Sequence, residues 1–114
     1  MEHPLYPSAS KDIAQKRKEL APDILVAFQS FSQHVFADGA LPSRTKELIA
    51  VAVAHVTQCP YCIRSHTKRA RLKGVSEQEI MEAIWVATEM RAGGAISHSA
   101  LAIDTMNEEG TKPE

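Results

Sequence analysis

Cysteine is scarce in this 114-residue chain: there are two, at positions 59 and 62. Two thiols cannot build the disulfide framework of a small secreted domain, so a reducing compartment and unbridged resting thiols are expected. Aromatic residues are also few, at 5%, which argues against a surface of stacking platforms for single-stranded nucleic acid. No apolar run approaches the roughly 20 residues of a membrane span. An excess of charge of either sign is missing too. The formal net charge is −1, which excludes a global basic field of the kind that holds nucleic acid. The first 18 residues are polar, carry Pro4 and Pro7, and lack the apolar segment of a secretory signal. Cytoplasmic residence is the expectation. What is present is 44% apolar and 24% charged residues, the composition of one globular domain able to bury about two thirds of its unfolded surface.

Along the chain, residues 1–9 read as an extended arm, 10–107 as one domain and 108–114 as a polar tail. Helical signals fill the domain. A first helix can follow Ser10 and run to Leu20. Pro22 suits the first turn of a second, which places Ile24, Phe28, Phe31 and Val35 on one stripe, with Gly39 as a stop. Ser43 is a plausible N-cap for a third. From Leu48 to Val56 that helix is apolar except for His55, and a helix apolar all round is expected to be enclosed by others. Cys59-Pro60 opens a fourth, closed by Gly74. Ser76 and Glu79 form a capping box for a fifth. Gly93-Gly94 predict a break before a sixth, carrying Ile96, Ala100 and Ile103. The expected class is all-α, a single six-helix domain. Met81 and Trp85 lie outside the main stripe of the fifth helix, and that surplus apolar surface predicts a subunit interface.

Chemistry concentrates in Glu47, His55, Cys59-Pro60-Tyr61-Cys62 and His66. A C-x-x-C pair can be a redox couple, half of a metal site or two small buried hydrophobes. At a helix start, unpaired N–H groups and the positive end of the helix dipole favour a thiolate. Residues three apart share a helical face and can be bridged after a small adjustment. His66 lies four residues beyond Cys62 on that face and can take a thiol proton. Glu47, on the preceding helix, needs a partner if buried and would orient His66. The electrostatics of the helix start permit either cysteine as nucleophile.

Blander readings stand beside these. His66 could be a solvated helix residue, Glu47 a complement to its helix dipole, and His55 a satisfied core histidine. The run Arg64, Lys68, Arg69, Arg71, Lys73 reads as a solvated surface, with nucleic-acid binding the weaker alternative. His55, Cys59, Cys62 and His66 also supply zinc-type ligands. On one continuous helix they would span about 16 Å, too far for one ion unless the chain breaks sharply at Pro60. No metal is therefore expected. The tetrapeptide Cys-Pro-Tyr-Cys is that of glutaredoxins, but no proline lies between Pro60 and Pro113 to supply the cis-proline of that fold, and later strand-like segments are missing.

With these residues in view, the chain resembles the alkylhydroperoxidase D-like branch of the carboxymuconolactone decarboxylase family. Glu47-Leu48-Ile49 stands twelve residues before Cys59-x-x-Cys62-x3-His66, and Thr67-Lys68, Gly74 and the Ser76–Glu79 helix start follow. The resemblance covers Ser43 to Ala87 well and the flanks loosely. It implies an all-helical, oligomeric fold, trimer or hexamer, acting as a thiol peroxidase without a cofactor. Cys62 would attack peroxide, Cys59 would resolve, and His66 with Glu47 would relay protons. An external dithiol or thioredoxin-like protein would reset the disulfide, with no nucleic acid or membrane involved. Tyr61 stands where members of that branch often carry a histidine. Lactone decarboxylation and non-catalytic redox sensing are the alternatives; the first needs neither thiol.

Overall fold

A computed structural model describes residues 5–108. These form five helices in the order α1 (Lys11–Leu20), α2 (Pro22–Phe36), α3 (Ser43–Thr57), α4 (Pro60–Leu72) and α5 (Glu77–Asn107), with no strand among the described residues. The chain divides into two compact units that part between Lys46 and Glu47. Of the expected arm and tail, residues 1–4 and 109–114 lie outside the described part.

In the first unit, α1 and α2 pack on each other. Ser10 caps α1, its Oγ accepting the Ile13 N–H at 3.3 Å. Ala21 alone separates the helices, and Pro22 opens α2 in its first turn as anticipated. Ser43 is not the N-cap of α3. The helix begins one residue earlier, with Pro42 O accepting from Lys46 N, and a proline cap offers no side-chain acceptor. Asp38 supplies one instead: its Oδ1 accepts the Ser43 N–H at 2.7 Å and sets a negative charge at the positive end of α3.

The second unit holds the core. Val51 of α3, Ala70 of α4, Val75 of the following turn and Ile80 of α5 are buried together, flanked by Leu48 and Ile84. Burying a valine such as Val51 contributes on the order of 1.5–3 kcal/mol. Two of the chain's most buried residues, Ala70 and Ala54, are alanines, and small side chains allow close approach of helix backbones. α3 is not enclosed all round in a single chain: Glu47, Val51 and Ala54 form its buried face, while Ile49 and Val53 remain exposed.

Gly74 ends α4 with φ +83°, a left-handed conformation that glycine adopts without a Cβ penalty. The Val75 N–H then reaches back to Ala70 O at 3.0 Å. The Ser76–Glu79 capping box is present in both directions, at 2.9 and 3.0 Å.

The expected sixth helix does not exist as a separate element, because α5 runs unbroken through Gly93-Gly94. A glycine ends a helix when it turns left-handed and a new cap follows. Neither glycine has positive φ, and Ala92 and Ala95 on either side are the best helix formers. Each glycine costs about 1 kcal/mol relative to alanine, which weakens the helix without ending it.

Candidate functional site

The corner between α3 and α4 carries the cysteines. Directly after α3 comes Gln58, the one described non-glycine residue with positive φ, at 56°. The Cys59 N–H closes that end on Ala54 O at 3.1 Å, the same reach-back geometry seen at Gly74, here built without glycine. A side chain in this conformation costs about 1–2 kcal/mol. Pro60 bars the preceding residue from the helical region, so Cys59 is extended, with φ −97° and ψ 104°. Cys59 thus becomes the N-cap of α4. Its carbonyl accepts from Ile63 N at 2.9 Å and its Sγ accepts from Cys62 N at 3.3 Å.

Hydrogen bonding separates the two thiols. The Cys62 side chain donates to Cys59 Sγ, and the Cys62 and Tyr61 backbone N–H groups add to it; together they lower the Cys59 pKa against the opposing effect of burial. Cys62 moves the other way. Its proton is held by Cys59, burial disfavours its charge, and the negative Cys59 repels a second one. These hydrogen bonds favour a charge on Cys59 over one on Cys62. Both cysteines are unbridged and half-buried.

Glu47 and His66, nineteen residues apart, meet in the second unit. His66 Nδ1 and Glu47 Oε2 are 2.7 Å apart, with the carboxylate 2% and the imidazole 16% exposed. With the carboxylate accepting from Nδ1–H, Nε2 is the basic nitrogen of the ring. His66 follows Cys62 by one turn of α4, so an oriented imidazole and the less acidic thiol share a helix face.

The other two sequence candidates stand apart. His55 is half-buried and turned back on its own helix, Nδ1 at 2.7 Å from Val51 O. Tyr61 is exposed on α4, and its backbone N–H helps to lower the Cys59 pKa. The sharp break that a zinc site would require does occur at Gln58-Cys59. Even so, no three His, Cys, Asp or Glu side chains converge on an ion among the described residues.

Arg91 was not singled out from the sequence. From α5 it donates to Val56 O at 2.9 Å, satisfying one of the carbonyls left over at the end of α3 and tying that end to α5 three residues before Cys59. Nothing local signals a contact 35 residues long. Gln58 has a weaker signal, since the residue between a helix end and an X-Pro step must reverse the chain.

The fold and corner define a class: all-helical proteins that present a dithiol at a helix start beside a buried carboxylate–imidazole pair. The chain belongs to the carboxymuconolactone decarboxylase family, whose model matches residues 22–105. It is 61% identical over 82 residues to "uncharacterized protein 4 in cox locus" of Paracoccus denitrificans, spanning 72% of this chain and 74% of that one. A carboxymuconolactone decarboxylase family protein of Legionella pneumophila superposes with a TM-score of 0.66 at 34% identity, over 82% of this chain and 87% of that one. A family member from Thermotoga maritima, a candidate participant in an antioxidative response, gives 0.56 at 31% identity over 70% and 82%.

Proposed function

We propose that the protein is a thiol-dependent peroxidase and disulfide oxidoreductase working through Cys59, Cys62, His66 and Glu47. The observation that carries this reading is the N-cap position of Cys59, where the Cys62 backbone and side chain both donate to its sulfur. The i,i+4 placement of Cys62 and His66, together with the resemblance, implies peroxide attack by Cys62. The electrostatics of the reduced pair support the opposite order, and that order is the one proposed.

The Cys59 thiolate attacks the outer oxygen of a peroxide. The O–O bond breaks, the alkoxide leaves as alcohol after taking a proton from solvent, and Cys59 becomes a sulfenic acid. His66 then accepts the Cys62 proton, with Glu47 accepting from the opposite ring nitrogen to stabilise the imidazolium. Cys62 sulfur displaces hydroxide from Cys59, the hydroxide takes the proton back from His66, and a disulfide and water result. An external dithiol returns two electrons and two protons by exchange. No cofactor takes part in this sequence, and cytoplasmic thiol reductants suit the resetting step. Tyr61 borders the pair, and His55 serves α3 rather than the reaction.

A single chain leaves Phe28, Phe31, Trp85 and Met90 each more than three fifths exposed. Apolar surface on that scale supports a homo-oligomer, for which the resemblance implies a trimer or hexamer, to be read by light scattering.

The decisive experiment is rapid mixing with an alkyl hydroperoxide under reducing pre-treatment. The expected result is one disulfide per chain, and a sulfenic acid trapped on Cys59 when Cys62 is replaced by serine. Trapping on Cys62 in the reciprocal variant alone would reverse the roles. No oxidation of either thiol, with activity on a lactone carboxylate surviving loss of both, would replace the reading by decarboxylation.

A further inference from the structure

An arginine on the surface of a helix ordinarily keeps its head group in water. Arg91, exposed on α5, instead gives a guanidinium N–H to Val56 O at 2.9 Å. The core sets the register for this reach. Ile80, Ile84 and Ala87 precede Arg91 at helical spacing on α5. Ile80 lies in the buried cluster with Ile84 packed against it, and Ala87 is buried. Val56 lies in the last turn of α3, two residues before Gln58 and three before Cys59.

Among the described residues the backbone turns left-handed twice, at Gly74 and at Gln58, and an arginine braces each turn. At Gly74 the brace is local, Arg71 donating to Val75 O at 2.9 Å, and glycine makes the turn at no steric cost. At Gln58 a Cβ opposes the turn. The local ties there run to Ala54 O, from Cys59 N at 3.1 Å and from the Thr57 hydroxyl at 3.4 Å. Water could satisfy the Val56 carbonyl nearly as well as a side chain, but water cannot tether the end of α3 to another helix.

We infer that Arg91 is a positioning residue for Cys59: its bond to Val56 O holds the left-handed turn at Gln58, and that turn keeps Cys59 seated as the cap of α4. The inference deepens the proposed function, in which Cys59 attacks peroxide. Cys59 spans two helices. Its N–H is bound to Ala54 O of α3, while its carbonyl accepts from Ile63 N and its Sγ from Cys62 N of α4. The first bond requires Gln58 to be left-handed, and releasing it frees Cys59 to rotate away from the others. The groups that lower the Cys59 pKa are Cys62 and Tyr61, at the start of α4. The arginine therefore acts through the turn and not by its own charge on the sulfur.

The test times iodoacetamide alkylation of Cys59 in the reduced protein across pH, read by peptide mass spectrometry with no peroxide present. A hydrogen bond of ordinary net strength is a factor of about 2 to 10 in an equilibrium constant. Arg91→Met, which keeps the apolar stem, should therefore slow Cys59 alkylation at pH 7 by about 2- to 10-fold and displace its pH profile upward. Arg91→Lys, which keeps a cationic donor, should fall between. Adding Gln58→Gly to Arg91→Met should restore the wild-type profile, because glycine makes the turn unaided. Arg71→Met, which removes the brace at Gly74, is the control and should leave the profile unchanged. A wild-type profile in Arg91→Met overturns the inference. So does a displacement that Gln58→Gly does not restore, which would make the charge of the arginine the cause. So does an equal displacement in Arg71→Met, which would reduce the effect to a general loss of stability. If these profiles behave as expected and peroxide oxidises neither thiol, the peroxidase reading fails while the positioning of Cys59 stands.

Discussion

Replacing Glu47 by alanine tests the buried pair most directly. The substitution removes a carboxylate that is 2% exposed and its 2.7 Å bond to His66, and leaves a ring N–H and a small void behind. Removing one partner of a buried hydrogen bond leaves the other unsatisfied at a cost of about 1–3 kcal/mol, more where the bond is charge-assisted. The 16% exposure of His66 lets water reach the orphaned nitrogen, which holds the expected loss to about 3 kcal/mol. Glu47→Gln keeps the shape and exchanges a charge-assisted bond for a neutral one, a loss of about 1 kcal/mol. With a urea m-value of about 1.5 kcal/mol/M, the midpoints should fall by about 2 M and 0.7 M. Protomer concentration must be held fixed if the chain associates. Glu82, exposed on α5, is the control, and Glu82→Ala should stay within about 0.5 kcal/mol of wild type. The double variant with His66→Ala should be less damaged than the sum of the single ones. If Glu47→Ala were no worse than Glu82→Ala, or strictly additive with His66→Ala, the pair would not exist as described.

Three further outcomes follow from local geometry. Iodoacetamide should alkylate Cys59 before Cys62, with the Cys59 pH profile displaced below the ordinary thiol value of about 8.5 and that of Cys62 above it. In Cys62→Ala the lost S–H donor should move the Cys59 profile upward, and with Cys59 titrating alone, stability should be fully present above about pH 8.5 and fall as pH drops through its folded value. Gly74→Ala should destabilise by about 1–2 kcal/mol from its φ of +83° alone, since an added Cβ meets nothing within 4 Å; an unchanged thermal midpoint would contradict the left-handed turn. Gly94→Ala, in open space within α5, should stabilise by about 0.5–1 kcal/mol and raise helicity by circular dichroism. A loss of stability there would mean that α5 breaks at the glycines.

Much of this architecture is carried by interactions reaching only three to five residues along the chain. Such interactions depend only on residues within about one turn, so they can be read from the sequence without the tertiary fold. Ser10 and Ser76 as caps, Pro22 and Pro60 as first-turn residues, Gly74 as a stop and the extended Cys59 ahead of Pro60 all belong here. The candidate site residues were legible on a different basis, the residue types and spacing of Glu47, Cys59, Cys62 and His66. Tertiary structure decided what depends on distant or competing groups. Gly93-Gly94 could end a helix or pass through one, and α5 passes through because neither glycine turns left-handed. Ser43 could cap α3, but Asp38 offers a charged acceptor to a helix whose own cap is proline. Glu47 meets His66 across nineteen residues, as its need for a partner predicts, whereas no local pattern announces that Arg91 meets Val56 across thirty-five. The distribution of charge between Cys59 and Cys62 was open in the sequence, since a helix start favours a thiolate at both. Folding brings the Cys62 N–H to Cys59 Sγ at 3.3 Å, a hydrogen bond that favours the charge on Cys59.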